Sequence, residues 1–149
     1  MSVSRALRNL LKVRGLEEEQ YKGALESALA ELRALETALG AALSRRRAAR
    51  CSAAAQIEAG DGLGRRAAEL ELDAESRRAT VLAARLPAFA ARVVEARELY
   101  LGKRTERRQA ESLVDAAAQR DELEGDRRLQ RSVDDWFNTR HAPRDRGES

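Results

Sequence analysis

The chain is poor in most of what builds a catalytic pocket or a thick core. It has one cysteine, one histidine, one methionine and one tryptophan, and aromatics make up 3% of its 149 residues. The lone Cys51 cannot form an internal disulfide, so a reducing compartment is expected. No uncharged apolar run reaches the roughly 18 residues that a spanning helix needs. The opening segment MSVSRALRNLLKVRG is amphipathic and basic but lacks a continuous apolar stretch, so no signal peptide is expected. Valine, isoleucine, threonine and aromatics are too scarce to build strands, which excludes a β-sandwich and a βαβ fold.

What is present is helix-forming and charged. Alanine, arginine, leucine, glutamate and lysine supply 94 of the 149 residues, beyond the roughly one-half that marks a coiled coil or a long helix. Alanine dominates the apolar mass and buries little area, so a thick globular core is excluded. Charged residues at 36% imply that nearly every position off a seam is solvated. Low net charge, +3, and ordered leucine spacing argue against disorder. Residues 1–75 carry 12 basic and 12 acidic side chains, whereas 76–149 carry 16 and 13, so the slight excess lies in the second half. Arginine exceeds lysine 25 to 3, which fits a GC-rich genome ahead of a binding role.

Heptad spacing organises the chain into two helices. Leu25, Ala28, Leu32, Leu35, Leu39 and Ala42 alternate by three and four, extending back through Tyr21, Glu18, Arg14, Leu11 and Leu7 and forward through Arg46, Ala49 and Ala53. A helix with this stripe must bury one narrow face against another helix. Ser4 is its expected N-cap, and it runs to about Glu58. The run Ala59–Gly64, AGDGLG, is the expected tip, because three glycines are costly inside a helix. The second helix is expected over about 65–140. Its seam reads Ala79, Leu82, Leu86, Phe89, Val93, Ala96, Tyr100, Lys103, Arg107, Ala110, Val114 and Ala117, with a charged middle that predicts exposure or poor packing there. The pattern then resumes at Leu123, Leu129, Val133, Trp136 and Phe137. Pro87 predicts a kink, with a hairpin turn at Leu86–Pro87 as the alternative. A short loop forces the helices antiparallel. The expected object is an all-α two-helix coiled-coil hairpin over 1–141, a thin rod whose second helix overhangs the first by about 20 residues at 1.5 Å rise each. A disordered tail, 142–149, follows.

No catalytic constellation appears, and no metal site or cofactor is expected. His141 has no sequence partner, and no phosphate-binding or nucleophile motif occurs. Glu17–Glu19 and Asp134–Asp135 are consecutive, so they fan around a helix as solvated faces and do not converge on a metal. Arg45–Arg47 with Arg50 forms the densest basic patch, but acids are interspersed elsewhere and stacking aromatics are missing, so nucleic acid is not the expected partner. Val3, Leu7, Leu10, Leu11 and Val13, with Arg5, Arg8, Lys12 and Arg14, could lie on an anionic membrane. The same leucines open the heptad stripe, which favours a partner-facing end and no stable membrane insertion. Trp136 and Phe137 either cap the seam against Leu7, Leu10 or Leu11, or anchor a partner.

Three segments coincide with one known pattern: NLLKVRGLEEEQYKGALESALAEL near the start, GDGL at the glycine break and RRLQRSVDDWFNTRH near the end. Together they resemble the flagellar export protein FliJ and its virulence-system counterparts, the YscO-type type III secretion proteins. The likeness in length, two-helix layout and composition covers nearly the whole chain. It implies a non-enzymatic stalk in the cytoplasm at a bacterial secretion apparatus, whose terminal half inserts into a hexameric export ATPase. Its tip side would meet the export-gate protein and substrate chaperones. Leu7, Leu11, Val133, Trp136 and Phe137 would then form the ATPase end, with Arg5, Arg8, Arg127, Arg128 and Arg131 facing the pore. Gly60, Gly62, Leu63, Leu70 and Leu72 would form the gate-facing tip. Flagellar members carry aromatics after the tip glycines, where this chain has AAELELDAESRR, which tilts the resemblance to the virulence type. A homo-oligomeric coiled-coil scaffold and a basic nucleic-acid-binding rod stay as alternatives.

Overall fold

The computed structural model describes residues 3–141. They form two helices, α1 (Arg5–Ala59) and α2 (Gly62–His141), which pack against each other. No strand occurs among the described residues. The tail expected from Ala142 onward lies outside them.

α1 begins at the expected cap. The Ser4 hydroxyl accepts from the Leu7 amide at 3.2 Å, and the Ser4 carbonyl accepts from the Arg8 amide at 3.2 Å. These bonds satisfy two donors that a helix start leaves open.

The turn is tighter than the glycine run predicts. Gly60 alone adopts a left-handed backbone, at φ 69°. Its amide donates to the Ile57 carbonyl at 3.3 Å, and the Asp61 amide donates to Gln56 at 3.1 Å, which closes α1 in a Schellman motif. Asp61 also opens α2: its carboxylate accepts from the Gly64 amide at 3.0 Å, and its carbonyl accepts from Arg65 at 3.0 Å. Gly62, Leu63 and Gly64 are therefore helical, and the expected start near Arg65 moves back by three residues. Glycine costs little in a first turn whose amides have no intrahelical acceptor, and the Asp61 cap compensates. α2 continues through Pro87, so the alternative turn at Leu86–Pro87 is overturned. Proline removes one donor there, which a long packed helix tolerates.

Contacts divide the chain into two units, Glu19–Gly102 and the residues up to Glu18 together with those from Lys103. In the first, the predicted α1 stripe from Tyr21 to Ala53 is buried or half-buried at every position. The facing stripe on α2 is Ala68, Leu72, Glu75, Ala79, Leu82, Leu86, Phe89 and Val93. Cross-helix pairs Arg45–Glu75 at 3.2 Å and Arg92–Glu31 at 3.9 Å fix the antiparallel sense. The buried apolar residues here are Leu35, Ala42, Ala49, Ala53, Ala68, Ala79 and Val93. A buried alanine contributes about one methyl group, ~0.8 kcal/mol, against ~2 kcal/mol for leucine. Stability is thus spread thinly along the seam, and Leu35 is among its few large anchors.

Leu35→Asp is expected to cost several kcal/mol, since it places a carboxylate in the seam with no partner. Helicity followed by circular dichroism should then fall at temperatures where wild type stays folded; an unchanged melt would mean that Leu35 does not face α2. Gly60→Ala should lower stability by about 1–2 kcal/mol, the cost of a side chain in left-handed backbone. Gly62→Ala, where an added Cβ meets nothing within 4 Å, should be neutral or stabilising, and urea titration of the two variants against wild type checks both.

Candidate protein-docking surface

The unit that holds the described terminal residues is ionic where the other is apolar. Leu7, Leu10 and Leu11 are half-buried on α1, and Ala110 is buried on α2. Between them and Glu18 the seam is carried by charge. Arg14 bridges Glu17 and Glu106, each at 3.0 Å. Lys103 lies 3.4 Å from Glu106 and 3.7 Å from Glu17. Arg107 pairs with Glu18 and, at 2.9 Å, with Glu111. The Glu18 and Arg107 side chains retain only 14% and 29% exposure. This corrects two expectations. The charged middle of the α2 seam, expected to be exposed or poorly packed, is half-buried and paired. Glu18, which the heptad stripe places on the seam, is half-buried there with Glu17 beside it, so of the acidic run expected to be a solvated face Glu19 alone is exposed. Opposite charges in register convert a seam that cannot be apolar into one that is satisfied.

Beyond Asp121 the environment changes. Every described residue from Glu122 to His141 is exposed. The pairings of Arg14 with Glu106 and of Glu18 with Arg107 set the antiparallel register and put the α1 start at Arg5 opposite about residues 115–120. α1 is therefore exhausted by about residue 120, and the expected overhang is present. Its chemistry is arranged on two sides. Continuing the seam by three and four from Asp121 gives Glu124, Arg128, Arg131, Asp135 and Asn138, all polar. Arg127, Arg128 and Arg131 line a shallow groove there with Glu124. Leu129, Val133, Trp136 and Phe137 form a separate stripe on nearly the opposite side, about 160° around the axis from the seam at roughly 100° per residue. They are 67%, 52%, 55% and 55% exposed.

This stripe is not a resumption of the seam, and Trp136 and Phe137 do not cap Leu7, Leu10 or Leu11. Arg140 stacks over the Trp136 ring at 4.7 Å, and Phe137 lies 4.4 Å from the His141 ring. His141 is thus the last residue of α2 with an aromatic neighbour. Arg5 is exposed, and Arg8 donates to the Val3 carbonyl at 3.0 Å. By the same register they sit about ten residues, roughly 15 Å, short of Arg127. The five arginines expected to act together therefore form two separate groups.

At the turn, Gly60 makes the bend and Gly62 and Leu63 belong to the first turn of α2. Leu63 and Leu70, seven residues apart, project on one side at 85% and 63% exposure. Leu72 is half-buried between Ala68 and Glu75 on the seam, so it does not share their surface. Sequence reasoning missed Glu75, whose side chain is 12% exposed. It is held by Arg45 at 3.2 Å and Arg78 at 3.6 Å, with Oε2 unpaired. Extending the α2 seam backward from Ala79 by four lands on it. The basic patch is split by the same geometry: Arg45 bonds Glu75, Arg46 is half-buried, and Arg47 and Arg50 point to solvent.

Among the described residues, no group of three or more His, Cys, Asp or Glu could hold a metal ion, and no helix is long and apolar enough to cross a membrane. Cys51 is free and exposed. No family model, curated protein or solved structure matches this chain. The large apolar side chains exposed on the described surface include Leu63, Leu70, Leu129, Val133, Trp136 and Phe137.

A double-mutant cycle on Glu18→Gln and Arg107→Gln should give a coupling of about 1 kcal/mol, because the pair is largely desolvated. The same cycle on the exposed Arg65–Glu69 pair, 3.0 Å apart, should give only a few tenths. Equal couplings would show that the seam does not shield its charges.

Proposed function

We propose that this chain is the central stalk of a type III secretion export apparatus, a non-enzymatic protein acting at the cytoplasmic face of a bacterial membrane. Its α2 overhang enters the pore of a hexameric export ATPase, while the Gly60–Leu63 turn with Leu70 meets the export gate and substrate chaperones. The overhang carries this reading: about 20 helical residues stand free of α1, with an apolar stripe on one side and Arg127, Arg128 and Arg131 on another. The resemblance of the NLLKVRGLEEEQYKGAL, GDGL and DDWF segments to FliJ and YscO-type proteins supports the same assignment.

The mechanism is steric and electrostatic. A single helix in a six-fold ring cannot contact all subunits equally, so it favours closure of some interfaces over others. Differential contact of this kind is what couples binding to a conformational equilibrium. The arginines pair with acidic pore loops, for which the planar guanidinium is suited, and Trp136 and Phe137 supply the apolar anchor. In this reading turnover stays with the ATPase, and the stalk acts on it by contact alone.

The test is co-purification with the co-encoded ATPase and its ATP turnover with and without this protein. Wild type should stimulate turnover several-fold, and Trp136→Ala with Phe137→Ala should abolish most of that gain while leaving helicity from Arg5 to Asp121 intact. A double variant that stimulates like wild type would move the contact elsewhere; no stimulation by wild type of any co-encoded ATPase would leave the scaffold reading.

A further inference from the structure

The apolar stripe on the overhang has a second property that the stalk reading does not use. Along one face of the segment the order is Glu122, Asp126, Leu129, Val133, Trp136 with Phe137, then Arg140. The stripe is thus acidic before its apolar centre and basic after it. All of these side chains are exposed. Arg140 is held on this face by its stacking over Trp136 at 4.7 Å, so its charge stays at the stripe's end.

A sequence of this kind is complementary to its own reverse. In an antiparallel pair centred on Val133, Leu129 of one copy faces Phe137 of the other, and Val133 meets its equivalent. Asp126 faces Arg140 twice, once at each end. A parallel pair would instead set Asp126 beside Asp126 and Arg140 beside Arg140, which is unfavourable. Closed two-fold pairing needs this kind of self-complementary surface. The face is also independent of the hairpin seam: it points about 160° away from it, and α1 does not reach this far along α2.

We infer that a second copy of this chain docks on the stripe, forming an isologous antiparallel dimer through residues 122–141. Four large apolar side chains per copy, along about 12 Å of helix, with the flanking charged pairs, bury an area at the low end for specific interfaces. The dimer is therefore weak and concentration-dependent. It covers Trp136 and Phe137 when the chain is concentrated and free of other partners. The inference does not rest on the stalk assignment, because it is read out with no ATPase present.

The experiment uses the full-length protein in sedimentation equilibrium across about 1–500 µM, chosen to span the affinities of weak interfaces. Wild type should pass from monomer to dimer within this range. Val133→Asp should remain monomeric, while circular dichroism reports its folding independently. Arg140→Asp and Asp126→Arg should each weaken the dimer at least tenfold, and the charge-swapped double variant should recover most of that loss. Orientation is read by cysteine pairing in a Cys51→Ser background: Leu129→Cys mixed with Phe137→Cys should yield the mixed disulfide dimer on mild oxidation. A protein that stays monomeric to the top concentration overturns the inference. So does a dimer that survives Val133→Asp, one that the charge swap does not restore, or one in which 129 cross-links to 129 in preference to 137.

Discussion

The most deeply buried positions of the seam between the helices are mostly alanine, and this sets the terms for everything else. Alanine lets two backbones approach closely, at the short end of helix-packing distances. It also contributes little burial per residue, so no short segment of the seam is stable alone. The structure must be long to be stable, and it must keep one register over that length. Heptad spacing repeats, so a slip by one heptad would again set apolar positions against apolar positions along much of the seam. The apolar residues therefore determine that two helices pair, but they only weakly determine how.

Register is specified by the charged residues placed in the seam. Glu75 sits where an alanine or leucine would otherwise fall, and it is satisfied only with Arg45 opposite. Glu18 and Arg107 play the same part in the other unit, supported by Arg14, Lys103, Glu17 and Glu106. Any slip would leave these groups desolvated and unpaired, which costs far more than exchanging one alanine contact for another. The pairs need not add net stability to do this. They act by making the alternatives worse, the best-supported use of buried polar groups in coiled coils.

Most of the helix layout was legible in the sequence because period and spacing are local. The three–four stripe from Leu7 to Ala53 and its partner from Ala79 to Ala117 follow directly from leucine and alanine positions, and Ser4 announces the first cap. The turn was misjudged by three residues because glycine was weighed by its cost in a helix interior, whereas Gly62 and Gly64 lie in a first turn capped by Asp61. The charged seam was misread because a lone charge at a seam position looks like a fault until its partner, about 90 residues away in sequence, is known. Trp136 and Phe137 were assigned to the seam's line on hydrophobicity. Their angular position around α2, together with the point at which α1 ends, separates them from it.

The terminal segment of α2 then poses a question of support. From Glu122 to His141 the helix has no tertiary partner among the described residues, and isolated helices of about this length are marginal in water. What sustains it is local: Glu124 and Arg128 at 3.7 Å, a Gln130–Asp134 hydrogen bond at 3.1 Å, and Thr139 bonded to the Asp135 carbonyl at 2.7 Å. Each contributes only a few tenths of a kcal/mol, and Gly125 works against them by about 1 kcal/mol. A helix so close to balance is stabilised by anything that covers its apolar side, so docking and helix formation in this segment are coupled. Part of the binding energy is spent on ordering, which keeps the contact reversible. A paired seam followed by a conditionally stable, amphipathic end is a physical arrangement in which one helix serves both as scaffold and as ligand.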